Sequence, residues 1–139
     1  FSKKLYSTYL SYFPKEELSY PLDMKTDERG FFAEFIKTPD RGQVSINLSK
    51  PGITKGNHWH HTKNEKFLVV SGEGIIAFRN INNDEKIEYP VSGKKLMVID
   101  VPPGYTHSIR NTGKSDLVTV IWVNEVFNVN KPDTYYLEV

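Results

Sequence analysis

From Pro21 onward the chain is a succession of short apolar runs, and this pattern constrains its fold more than any other feature. FFAEFIK, QVSINLSK, KFLVVSG, GIIAFRNI, KIEYPV, KLMVID, THSIRN and LVTVIWVN are rich in Val, Ile, Phe and Tyr, and several alternate apolar with polar residues. Gly, Pro, Asn or Asp punctuate the gaps. Period-two alternation marks a half-buried strand, and the punctuating residues are those that turn a chain between strands. Residues 81–85 (INNDE) read as a hairpin tip and residues 91–94 as another turn. Phe35, Ile36, Val44, Ile46 and Leu48 fit inward positions. Strands so spaced, with no second helix, predict an all-β sandwich or barrel, and a small barrel can hold one ligand in its interior. A length of 139 residues gives one domain with a single core.

Only the beginning departs from this pattern. FSKKLYSTYLSYF sets Phe1, Leu5 and Tyr9, and Tyr6, Leu10 and Phe13, at one-turn spacing, a broad aromatic face on a short helix stopped by Pro14. That face has two candidate partners, the sheet of this domain or a neighbouring domain. We take residues 1–14 as helix and linker and residues 15–139 as the β domain. The opening on Phe1 rather than Met leads us to expect a longer protein.

Composition narrows the function classes. The formal charge is +1 and the lysines are dispersed, unlike the one-faced basic stripe of a nucleic-acid binder. No run reaches the ~18 apolar residues of a membrane span, and no signal-peptide core is present. The absence of cysteine removes disulfides and thiolate metal sites and fits a reducing, cytoplasmic location. The sequon Asn47-Leu48-Ser49 reads as chance within a strand.

Histidine is scarce and concentrated. Three of the four fall at His58, His60 and His61, Glu65 follows, and His107 lies downstream in PPGYTH. If the chain is extended here, His58 and His60 share one strand face while Trp59 and His61 take the other. Glu65 enters the next strand, and His107 begins one that would lie opposite. Three imidazoles and a carboxylate suit Zn, Fe(II), Mn, Ni or Cu. The alternative is a group of exposed polar residues at a strand end.

These residues carry a resemblance. Gly52, His58, His60, Glu65 and Gly72 reproduce the first motif of the cupin superfamily at full spacing, and Pro102, Gly104, His107 and Asn111 the core of the second. Leu96 stands where that motif has a leading glycine. The resemblance implies a cupin (jelly-roll) β-barrel, here with a short N-terminal helix, and makes His58, His60, Glu65 and His107 the metal ligands. DERGFFAE at 27–34 is similar to a signature of the deoxysugar-nucleotide 3,5-epimerases. Gln43-x-Ser45-x-Asn47-x-Ser49 resembles their sugar-facing strand, and Lys55-Gly56-x-His58 falls where they have RGxH. Nearly the whole chain is similar to the C-terminal cupin domain of a family of bifunctional capsular-polysaccharide enzymes.

In that family a short-chain reductase domain that uses NADPH precedes the cupin. The resemblance therefore implies a zinc ion, a homodimer and a reductase domain in the same chain. It also implies a C3-epimerase, an isomerase acting on a UDP-linked 4-keto-6-deoxy-2-acetamido sugar, the precursor of N-acetyl-L-fucosamine. NADPH would belong to the reductase alone, since these residues hold no glycine-rich dinucleotide loop. Two other classes remain, an Fe(II) dioxygenase and a non-catalytic cupin that binds sugar or docks the reductase.

Epimerisation beside a ketone removes a proton from carbon and returns one to the opposite face. It needs a base, an acid and a group to hold the enolate oxygen. The 3,5-epimerases use the histidine of RGxH as their base. His58 stands there, yet the cupin motif claims it as a ligand, and a metal-bound imidazole cannot accept a proton. We take it as a ligand and expect a neighbour to move the proton. His61, Lys66 and Tyr105 are candidates by proximity in sequence, and Tyr135 or Tyr136 by that family's use of a tyrosine acid. Arg29, Arg41, Lys55 and Lys63 are candidates for the diphosphate, with a solvated surface charge as the alternative for each. Phe31, Phe32 and Trp59 are candidates for stacking on the sugar or uracil, with core packing as the alternative.

Overall fold

The structure, a computed structural model, describes residues 2–139; Phe1 and its share in the aromatic face lie outside them. Helix α1 (Ser2–Ser11) has no buried residue, and Leu5, Tyr6, Tyr9 and Tyr12 are exposed. Tyr9 and Phe13 stack edge to face, 4.8 Å between ring centroids. Of the two candidate partners for this face, the domain's own sheet does not cover it.

Among the described residues, eleven strands follow. They are β1 (Met24–Asp27), β2 (Gly30–Thr38), β3 (Gly42–Ser49), β4 (Thr54–Trp59), β5 (Glu65–Ser71), β6 (Glu73–Asn80), β7 (Lys86–Ser92), β8 (Val98–Val101), β9 (Tyr105–Asn111), β10 (Leu117–Val123) and β11 (Tyr135–Tyr136). They form two antiparallel sheets, in the orders β1-β2-β3-β10-β5-β8 and β11-β4-β9-β6-β7. This is the jelly-roll cupin architecture that the motifs implied. Both expected turns are present, between β6 and β7 and after β7. Pro90 sits in β7, which ends its sheet, so its missing N–H leaves no ladder bond broken on a central strand.

The core lies between the sheets at one end of the barrel. Phe67 and Val69 of β5, Ile99 and Val101 of β8, and Leu117 and Ile121 of β10 meet Ile76 and Phe78 of β6, Val91 of β7 and Ile109 of β9. The other end is built differently. Along β3 the residues turned inward are Gln43, Ser45, Asn47 and Ser49, all buried, while Val44, Ile46 and Leu48 face out and are half-buried. The expected inward set on this strand is therefore reversed. Phe35 and Ile36 are exposed as well, because β2 slips register against β3 between Glu34 and Ile36 and the alternation changes phase there.

A polar inner face costs free energy unless it is hydrogen-bonded. Gln43 Nε2 donates to Ser45 Oγ at 3.0 Å and Asn47 Nδ2 to Ser49 Oγ at 3.3 Å. From the facing sheet, Lys55 Nζ donates to Asn47 Oδ1 at 2.9 Å and to the Leu48 carbonyl at 2.8 Å. The barrel is thus packed with hydrocarbon at one end and lined with amide and hydroxyl groups at the other.

Candidate functional site

Strand β4 is distorted where it matters most. Gly56 (φ 102°) and Asn57 (φ 58°) form a bulge, and the pairing with β9 resumes with His58 opposite His107. Gly56 is needed on two counts: its φ is left-handed, and a Cβ there would lie 2.7 Å from the His107 carbonyl oxygen. His58 and His107 are thereby cross-strand neighbours with ring centroids 4.6 Å apart. His60 follows two residues on, its ring 5.1 Å from His58 and 5.4 Å from His107. Glu65, the first residue of β5, closes the group from the other sheet.

The ligand atoms of His58, His60, Glu65 and His107 all lie within 4.8 Å of one another. Glu65 Oε2 approaches His107 Nε2 to 3.0 Å and Oε1 approaches His60 Nε2 to 3.7 Å. Yet His60 Nε2, Glu65 Oε2 and His107 Nε2 are buried without a properly aligned hydrogen-bond partner. Buried polar atoms are normally satisfied, and unsatisfied ones converging on a point require an explanation. Imidazole nitrogens and a carboxylate oxygen so arranged fit a divalent cation of the zinc or iron type.

The electrostatics agree with that donor set. Burial, reinforced by the neighbouring His107, pushes His58 down to about 4, so its ring is neutral at physiological pH. Burial alone would push Glu65 up, but the His107 and His60 imidazoles facing it hold its carboxyl well below the usual carboxylate range. His60 moves upward, because Glu65 and the Asp133 carbonyl outweigh the effect of its burial.

The cluster opens on a cavity of about 600 Å³, within the range of small-ligand sites. Phe32, Ile121, Val123 and Phe127 give it an apolar wall, and Lys25, Asp27, Arg29, Glu34, Gln43, Asn47, Lys55, Lys63 and Glu125 contribute polar groups. Arg29 is half exposed at the rim and already forks onto Asp27, through Nε at 3.0 Å and Nη2 at 2.6 Å. Lys55 makes three bonds, the third to the Phe31 carbonyl at 3.4 Å, and burial lowers its pKa. Lys63 is buried, bonded to the Pro132 carbonyl and 5.4 Å above the Phe127 ring.

The other sequence candidates lie elsewhere. Arg41 is exposed beside Asp40, and neither it nor Phe31 lines the cavity, whereas Phe32 does. His61 and Trp59, on the opposite strand face from the cluster, stack on each other at 4.5 Å and each on Tyr135 at 5.0 Å between ring centroids. Lys66 pairs with Asp100 on the outer face of β5 and β8. Tyr105 packs on the hydrophobic core, and Tyr136 is exposed. None of His61, Lys66, Tyr105, Tyr135 and Tyr136 lines the cavity.

Sequence reasoning missed Glu34, Glu125 and Phe127 of the lining and Asp133 behind His60. Glu34 lay inside a quoted motif and was open to notice. The other three are in the irregular 124–134 segment and carry no local pattern.

Three comparisons with known proteins bear on this arrangement. The chain is 45% identical over 138 residues to the UDP-2-acetamido-2,6-beta-L-arabino-hexul-4-ose reductase of Pseudomonas aeruginosa, an alignment covering 99% of this chain and 37% of that protein. It is 71% identical to the capsular polysaccharide assembling protein CapF of Staphylococcus aureus, superposing with a TM-score of 0.95 over 99% of this chain and 40% of CapF. The chain thus spans about two-fifths of the length of these relatives. With the dTDP-6-deoxy-D-glucose-3,5-epimerase RmlC of Legionella pneumophila it shares the fold, at 19% identity and a TM-score of 0.57 over 78% of this chain and 66% of RmlC. Residues 25–135 match the family described as polysaccharide biosynthesis C-terminal domain, and the chain belongs to that family.

Proposed function

We propose that this domain is a metal-binding cupin that epimerises C3 of a UDP-linked 4-keto-6-deoxy-2-acetamido sugar in capsular polysaccharide synthesis, toward N-acetyl-L-fucosamine. The observation that carries the reading is the convergence of four ligand atoms within 4.8 Å at the wall of a ligand-sized cavity, in a chain 71% identical to a capsular polysaccharide protein. His58, His60, Glu65 and His107 would hold the ion, most simply Zn²⁺. Bound there, it would supply Lewis-acid polarisation of a carbonyl oxygen, or hold the two sheets together at the cavity.

The protein's own residues supply the rest. The apolar wall of Phe32, Ile121, Val123 and Phe127 receives the deoxysugar and excludes water from the reacting carbon. Arg29, at the rim, offers its remaining donors to the diphosphate. Proton transfer requires a titratable group that faces the substrate. We assign it to Lys63 and Glu34, which line the cavity and come from different elements, ahead of His61, Lys66 and Tyr105, which point elsewhere.

Residues 1–14 are proposed as the helix and linker leading in from a reductase domain that binds NADPH, and the protein as a cytoplasmic homodimer. No helix among the described residues is long and apolar enough to cross a membrane. The half-buried outer stripe of the larger sheet supports the dimer.

The test is incubation of the protein with the keto-sugar in D2O, following deuterium at C3 by NMR. Label enters C3 in the wild type, and Lys63→Ala and Glu34→Gln each slow its entry by about a hundredfold or more, the lower end of the usual contribution of an acid or base. A wild type that admits no label at C3 defeats the epimerase reading. Metal analysis beside an oxygen-uptake assay decides against a dioxygenase if the ion is redox-inert and no oxygen is consumed.

A further inference from the structure

We infer that Asp133 is the positioning residue of the four-residue cluster: its carbonyl sets the tautomer of His60, and its carboxylate fixes the loop between His60 and Glu65. This rests on the metal reading above and names what makes that site competent.

The Asp133 carbonyl oxygen lies 2.5 Å from His60 Nδ1. A carbonyl only accepts, so the neutral ring must carry its proton on Nδ1. Nε2 is then a bare lone pair, and it is the atom that faces Glu65 at 3.7 Å with no hydrogen-bond partner. The same residue acts again through its side chain. Asp133 Oδ1 accepts the His61 N–H at 3.0 Å, and Oδ2 accepts the Thr62 N–H at 3.0 Å, the Thr62 hydroxyl at 3.1 Å and the Lys63 N–H at 3.2 Å. Three successive amides of the chain that separates two ligands are gathered on one carboxylate.

The backbone is committed to this arrangement. Among the described residues only Asn57 (φ 58°) and Asp133 (φ 43°) are non-glycine residues at positive φ, and they adjoin His58 and His60 respectively. Asn and Asp tolerate that region best, and such conformations persist only where the surroundings impose them. The segment around Asp133 is anchored on both sides, by Lys63 Nζ donating to the Pro132 carbonyl and by β11 pairing Tyr135 with Trp59 and Tyr136 with His58. His107, by contrast, has only a long contact behind it, 3.4 Å from Nδ1 to the Tyr105 carbonyl. The Asp133 oxygens are spent on amides, so the residue supports the cluster without joining it.

Partners that orient a ligating histidine are worth about 10- to 100-fold in metal affinity. Two variants separate positioning from general stability. Asp133→Gly keeps a residue at ease at positive φ and removes the carboxylate; Asp133→Asn keeps the shape and one acceptor oxygen. Nitrogen-15 NMR of the metal-free protein, above the histidine titration range, reads the tautomer, and chelator competition reads Zn²⁺ affinity.

Wild-type His60 is expected as the Nδ1–H form, and so is Asp133→Gly, which removes the carboxylate but keeps the backbone carbonyl. Zn²⁺ affinity is expected to fall roughly 10- to 100-fold in Asp133→Gly, with Asp133→Asn between it and the wild type. A wild-type His60 protonated on Nε2 overturns the inference even if neither variant folds. So does an Asp133→Gly protein that loses thermal stability but keeps wild-type affinity. A wild type with the Nδ1–H tautomer and no measurable Zn²⁺ binding instead overturns the metal reading, and the inference about affinity falls with it.

Discussion

His58 is a member of the cluster whose behaviour depends strongly on its surroundings. In an unfolded chain its imidazole protonates near pH 6.5; buried in the folded protein it does so only near 4. Between those values the unfolded state binds more protons, so stability must fall as pH falls through this window. At about 1.4 kcal/mol per pH unit, the loss approaches 3 kcal/mol by the lower end. His60 is shifted upward and opposes the effect. Urea unfolding of the metal-free wild type and of His58→Gln isolates the residue: the wild type should lose stability relative to the variant on going from pH 6.5 to 4. Parallel curves would show that His58 is not held neutral by burial. At this scale the convergence of His58, His60, Glu65 and His107 was legible, because two motifs fix their spacing and a strand maps spacing onto faces. The proton-transfer candidates were not. His61 is adjacent to His60 in sequence, but one step along an extended chain reverses the side chain, and Trp59 and Tyr135 receive it instead.

Among the strands, Lys55 acts as a cross-tie. It stands on β4 and donates to the Phe31 carbonyl on β2 and to Asn47 Oδ1 and the Leu48 carbonyl on β3, joining the two sheets at the polar end. Replacing it with methionine keeps the length of the side chain and leaves Asn47, buried, without its donor. Lys55→Met should cost about 1–3 kcal/mol in chemical denaturation, the usual penalty for an orphaned buried acceptor. A loss below 0.5 kcal/mol, the low end for one net hydrogen bond, would mean that water replaces the ammonium. The same strands show where reading the sequence stops. Period two in QVSINLS reports that the strand alternates and says nothing of which set faces inward. The cavity beside it reverses the usual assignment, and bonds along the strand together with Lys55, from the other sheet, satisfy the reversed face. β11 escaped notice for a different reason, since two residues are too few to carry a period.

For the molecule as a whole, the reversal on β3 leaves an apolar outer surface. Val44 pairs with Trp122, Ile46 with Val120 and Leu48 with Val118, and the stripe continues through Leu68 to Val98. Few monomers present so continuous a band of apolar side chains. A charge placed in its middle should separate the proposed dimer: Ile46→Glu is expected to sediment as a monomer, with thermal stability close to that of a monomeric wild type at high dilution. An unaltered dimer would place the contact elsewhere, and a monomeric wild type would remove the proposal. The overall architecture was legible because the strands and two spaced motifs repeat along most of the chain. The joins were not, because they link positions 60 and 133 or 55 and 31 through contacts with no local signature. The bulge at Gly56 and Asn57 extends this point to insertions and deletions. Asn57 is the extra residue of the ladder, and its carbonyl and side-chain oxygens receive the Leu137 and Val139 amides. A single-codon deletion of Asn57 would leave His58 opposite His107 while removing two acceptors from the C-terminal segment. Such a lesion would show itself first some 80 positions away, at Leu137 and Val139, rather than among the four residues of the cluster.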